Sequence, residues 1–87
     1  MIAVRPGQIW ADNDKRAEGR TVRIERVDGD RVLCRVLTNS TDTQAQLDAG
    51  SPWVRDRRGK TTSIRLDRFK PTNTGYRLIH DTTEETR

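Results

Sequence analysis

Residues 51–70 carry Arg55, Arg57, Arg58, Lys60, Arg65, Arg68 and Lys70 against Asp56 and Asp67, a local excess of five positive charges, and Trp53 lies among them. Guanidinium groups grip phosphate through paired N–H donors, and an exposed indole offers a plane on which a base stacks. That is the chemistry of nucleic-acid binding, and these residues are the candidate contact set for DNA or RNA. The competing reading is a solvated hairpin tip whose charges keep a β protein in solution, with Trp53 folded back as a lid on the core.

Other chemistries find little support. His80 is the single histidine and sits where the last apolar alternation runs out, a place for a solvated side chain rather than a general base. Cys34 is the single cysteine and lies inside an apolar alternation, so a buried structural thiol is expected and an intramolecular disulfide is excluded. One His and one Cys do not make a clustered zinc ligand set. The aspartates fall mostly in turns, where they accept backbone hydrogen bonds. GDR and RRGK lack the spacing and the following helix of a phosphate loop. No enzyme activity, metal or cofactor is expected.

The net charge of +4 understates the basic character of the chain. The segment 81–87, DTTEETR, contributes −2 and reads as a disordered acidic tail, leaving +6 on residues 1–80. A balance of that size favours an anionic partner. Of the 17 basic residues 14 are arginine, which fits phosphate recognition and GC-rich coding DNA equally. The N-terminus has a proline and a glycine where a signal peptide would carry its apolar run, and no segment approaches the roughly 18 apolar residues of a membrane span. A cytoplasmic protein without membrane association is the expectation, and Asn39-Ser40-Thr41 is then no glycosylation site.

What positions these residues is a series of short strands. The chain's 87 residues allow one domain with a small core, expected over residues 1–80. Residues 8–11 read as a first strand entered through Arg5-Pro6-Gly7, followed by a polar loop to Gly19. Residues 21–27 and 31–38 alternate with period two around Val27-Asp28-Gly29-Asp30, a hairpin signal. A strict two-residue turn on Asp28-Gly29 splits the apolar face, so either a bulge at Arg26 or a three-residue loop is required to bring Val22 and Ile24 onto the face of Val32, Cys34 and Val36. Residues 39–52 lose the pattern. They read as a mobile loop, with one helical turn capped at Thr41 and ended at Gly50 as the alternative. A second hairpin is expected over 53–66, turning on Asp56-Arg57-Arg58-Gly59 as a type I turn with a glycine bulge, and this register exposes Trp53.

After Leu66 the spacing to Phe69 is that of one 3₁₀ turn, and Pro71 prevents its continuation. Residues 76–79 then make a last strand. A strand, a 3₁₀ turn and a final strand returning to the first describe an all-β, five-stranded SH3-like barrel with an extended hairpin or loop at 40–60. The pieces VRPGQIWADND, GRTVRI, IRLDRFKP and TGYRLI, in this order, resemble a group of short uncharacterised proteins of actinobacteria and their phages that read as small SH3-like barrels. The resemblance covers residues 4–38 and 60–79 and implies that fold; segment 40–59 is longer here than in the group, and no activity comes with it.

Two further readings stand beside nucleic-acid binding. In a protein-interaction module, such as a phage-encoded factor acting on a host protein, Trp10 and Tyr76 would form an aromatic surface, provided that Ile9 rather than Trp10 points inward. In a structural or assembly subunit, Leu33 and Leu37 on the outward face of the third strand would mark a homodimer or subunit contact.

Overall fold

The computed structural model describes residues 3–81; the expected acidic tail, apart from Asp81, lies outside the described residues. The chain is mostly sheet. Its strands are β1 (Ile9–Asp12), β2 (Thr21–Asp28), β3 (Arg31–Thr38), β4 (Thr61–Arg65) and β5 (Tyr76–His80), with one helix, α1 (Thr41–Asp48). Short 3₁₀ turns occupy Lys15–Ala17 and Leu66–Arg68. All pairings are antiparallel and the order is β4-β3-β2-β1-β5. The last strand returns to the first, as expected, yet no ladder joins β4 to β5 and the sheet is open. No helix among the described residues is long and apolar enough to cross a membrane.

The alternation read from the sequence decides which side chains are inside. Val22, Ile24, Val32, Cys34, Val36 and Ile64 are buried and meet Trp10, Phe69 and Tyr76 in one core, with Leu66 and Leu78 packed against it. Burying an aliphatic or aromatic side chain contributes about 1.5–3 kcal/mol over leaving it in water. The β2–β3 register shows how the face is kept whole. Asp28 pairs with Arg31 around a Gly29-Asp30 turn, whereas Ile24 pairs with Cys34 and Val22 with Val36. The extra residue is Glu25, bulged between Ile24 and Arg26. The bulge therefore sits one residue before the expected position, and the turn one residue after it.

Two expectations for the middle of the chain are corrected. Residues 41–48 are a helix of two turns, not a mobile loop, and its N-cap is Ser40 rather than Thr41: the Ser40 hydroxyl accepts from the Thr43 amide at 3.2 Å. Gly50 and Ser51 donate to the carbonyls of Leu47 and Gln46, and Gly50 has φ +82°, which makes a Schellman ending. The helix buries no residue. Caps and side-chain pairs four apart, Gln44 to Asp48 and Gln46 to Asp42, sustain it in place of an apolar face. The second hairpin is not formed either. Residues 49–60 are irregular, and β4 pairs with β3, Val32 with Ile64 and Cys34 with Thr62. Gly59 donates to the Val36 carbonyl and Val36 donates to the Lys60 carbonyl, so the 57–60 turn is bonded to β3, and the other edge of β4 stays unpaired among the described residues. That turn places Gly59 at φ +80° third of four, with Lys60 donating to the Arg57 carbonyl, the geometry of type II rather than type I.

The N-terminal turn ends in a buried polar residue that the alternation does not reveal. Gln8 Oε1 accepts from the Arg5 amide at 2.9 Å and from the Trp10 indole N–H at 3.1 Å, while its amide donates to the Ala3 carbonyl at 2.9 Å. The indole is thereby satisfied inside. Trp10, at 2% exposure, points into the core and Ile9 does not.

Candidate nucleic-acid interface

All eight predicted contact residues are exposed, and Trp53, at 89%, is the most exposed large apolar side chain among the described residues. It is no lid on the core. The set does not form one patch, however. Trp53, Arg55, Arg57, Arg58 and Lys60 precede β4, next to Thr61, which pairs with Arg35. Arg65 ends β4 opposite Arg31, and Arg68 and Lys70 follow it. At about 3.3 Å per strand residue, the two groups are separated by about 13 Å of β4.

Within each group the cations differ in freedom. Arg58 is clamped by Asp56 through contacts of 2.6–3.2 Å, and these hydrogen bonds hold the Asp56 carboxyl well below the ordinary carboxylate range. Arg65 pairs with Asp67 at 3.1 Å. Arg68 donates twice to the Thr74 carbonyl and lies 5.8 Å from the Tyr76 ring centre, so it closes the 68–75 corner. Arg55, Arg57, Lys60 and Lys70 have no side-chain ion pair or hydrogen bond among the described residues. Three of those four free cations share the 49–60 loop with Trp53.

Asn39 holds this loop against the helix. Its amide donates to Gln44 and Asp56, each at 3.0 Å, and its carbonyl oxygen accepts from the Arg57 backbone at 2.9 Å. Arg35 adds a bond of 2.8 Å to the Gly59 carbonyl. Behind the loop opens a cavity of about 440 Å³ lined by Arg16, Arg20, Arg57, Asn39, Ser40 and Thr43 among others. Arg16 and Arg20 were invisible as site residues because ADNDKRAEGR reads as a mixed-charge loop. The bond from the Thr41 amide to the Glu18 carbonyl, 2.6 Å, and the close approach of Gly19 to Thr41 bring that loop to the helix.

The alternative interaction residues fare differently. Trp10 and Tyr76 are each 2% exposed and pack on either side of Phe69, with ring centres 5.2 Å from it. They form no exposed aromatic surface, because the bond to Gln8 lets the indole N–H be buried. Leu33 and Leu37 are half-buried. A mainly apolar groove does exist elsewhere: about 820 Å³, walled by Val4, Trp10, Leu66, Phe69, Pro71 and Leu78, with Asp67, Lys70 and Arg77 as its charged lining.

Cys34 is buried, and burial pushes its thiol up to about 12. The reactive species is the thiolate, so this group is inert as a nucleophile. Burial likewise moves the Tyr76 hydroxyl up to about 12. Both pKa values are raised on folding from 9.0 and 10.0. Their contribution is therefore intact below pH 9 and is lost as pH rises toward about 12. Urea midpoints are expected to fall from pH 9 upward, and Cys34→Ala to move that onset toward pH 10, where Tyr76 begins. A pH-independent midpoint between 8 and 11 contradicts this.

Comparison with known proteins returns no matching family model, no matching curated protein and no matching solved structure.

Proposed function

We propose that the protein is a small basic module that binds nucleic acid through the 49–60 loop. One observation carries this reading: a nearly fully exposed indole, Trp53, shares its loop with Arg55, Arg57 and Lys60, whose charges are unpaired among the described residues while Arg16, Arg23, Arg58 and Arg65 are tied to carboxylates. A solvent-facing indole offers its whole ring face for stacking on a base. The meander order with a 3₁₀ turn before a last strand that returns to β1 supports an SH3-like barrel as the scaffold. A cytoplasmic location accompanies this function.

The test is binding of single- and double-stranded DNA and RNA oligonucleotides across a salt series. Binding is expected to weaken steeply with salt, with a log-log slope of about 0.7–0.9 per phosphate neutralised. Trp53→Ala is expected to cost about 1–3 kcal/mol, and Arg55→Ala and Lys60→Ala each to lower the slope by about one. Quenching of indole fluorescence should vanish in Trp53→Ala, because Trp10 is buried. No binding at low salt sinks the proposal.

The apolar groove beside Pro71 favours a second reading, a protein-interaction module, as for a phage-encoded factor acting on a host protein. Binding there would depend little on salt and not at all on Trp53.

A further inference from the structure

The cavity behind the loop is concave, cationic and free of acidic lining. Its three arginines come from separate stretches: Arg16 from the 3₁₀ turn of Lys15–Ala17, Arg20 from the approach to β2, Arg57 from the turn before β4. We infer that it is a phosphate-binding pocket, in which Arg16, Arg20 and Arg57 hold one backbone phosphate of a single-stranded polynucleotide whose neighbouring base stacks on Trp53. The polynucleotide as occupant rests on the proposed function; the phosphate chemistry of the pocket does not.

Donor accounting supports the assignment. A guanidinium carries five N–H donors and no acceptor. The Arg20 guanidinium is only 28% exposed and forms an ion pair with Asp12 at 3.7 Å, a contact too long to be a hydrogen bond, so its N–H donors are not taken up by hydrogen bonds within the described residues. Arg16 spends its Nε and Nη2 on Asp14, which leaves Nη1 uncommitted. The Arg57 side chain has no partner among the described residues. The pocket thus presents an excess of cationic donors and no carboxylate on its wall, and like charges gathered in a concave site raise the local potential for anions. A tetrahedral oxyanion accepts from several guanidinium groups at once. The volume of about 440 Å³ leaves room for the attached sugar. Two other cavities do not fit: one mixes Asp12 and Glu18 with Lys15 and Arg77, and the other is the apolar groove.

Two experiments on the full chain test this. In a titration with inorganic phosphate followed by ¹H–¹⁵N correlation spectra, saturable shifts are expected at the amides of Asn39, Thr41 and Thr43 and at the Arg57 side-chain N–H, with Gly29 unmoved. In a salt series with a single-stranded oligonucleotide, Arg16→Ala with Arg20→Ala is expected to lower the log-log slope by about 0.7 for the one phosphate released, whereas Arg26→Ala leaves it unchanged. Arg16→Ala alone, at an exposed side chain, is expected to weaken binding measurably, which covers the case in which Arg20→Ala disturbs folding. Absence of phosphate shifts at these amides overturns the pocket. So does oligonucleotide binding whose slope ignores Arg16 and Arg20, and the nucleic-acid reading then survives through the loop. Phosphate shifts in the pocket without oligonucleotide binding have the opposite meaning: the pocket stands and the nucleic-acid reading falls.

Discussion

Phe69→Ala is expected to remove about 3–5 kcal/mol of stability, a large share of what a domain of this size holds at about 0.05–0.15 kcal/mol per residue. Phe69 closes the 3₁₀ turn of Leu66–Arg68 by donating its amide to the Leu66 carbonyl. Its ring meets Trp10 edge-on at 83° and stacks on Tyr76 at 23°. Deleting it loses the transfer free energy and leaves a void, which β1 and β5, carrying Trp10 and Tyr76, cannot fill by collapsing because they are paired to each other. The measurement is the urea midpoint at unchanged denaturant slope. A loss below about 1 kcal/mol would show that the corner is held by its hydrogen bonds instead.

The second large effect is expected at Gly75, which is buried. A Cβ there would run into the Lys70 carbonyl oxygen and lie 2.9 Å from the Arg68 carbonyl oxygen. Backbone atoms cannot rotate away as a side chain can. The corner is also cross-tied: Gly75 donates to the Thr72 carbonyl, and the Asn13 amide donates to the Gly75 carbonyl. Relief therefore requires the corner to open and these bonds to lengthen. Gly75→Ala is expected to cost about 3 kcal/mol, the upper end of ordinary overpacking, although it removes a flexible residue from the unfolded chain, a change that otherwise stabilises. Gly29→Ala makes the comparison, since nothing lies within 4 Å of its Cβ position and its cost is only that of φ +62°. Equal thermal shifts for the two variants would contradict the steric account.

The strands were legible because their signal is local. Residues 31–38 alternate strictly, and β3 spans those residues. Leu66, Phe69 and Pro71 marked the corner by spacing and by the missing amide of proline. The helix was not legible, because the period-3.6 test looks for a buried face and α1 has none; its signal was Ser40, Gly50 and the polar pairs between them. The second hairpin failed for a related reason. Residues 53–56 alternate and carry a turn sequence after them, but none of them is buried, so no packed face holds that arm against the free edge of β4.

The candidate site divides in the same way. Composition placed the cations outside, because seven positive charges among turn residues have no core to enter; Trp53 was left between an exposed position and a lid on the core, and the structure decides for exposure. Which cations remain unpaired depends on carboxylates two residues away, Asp56 for Arg58 and Asp67 for Arg65, and on a carbonyl at the far side of a corner for Arg68. Periodicity and charge, properties of neighbours in the chain, were enough to determine the strands, the inward face and the basic surface. The direction of Trp10, the freedom of Arg57 and the meeting of Arg16 and Arg20 with it were decided only by tertiary structure, since each depends on a hydrogen bond or a packing contact whose partner the chain must first fold to reach.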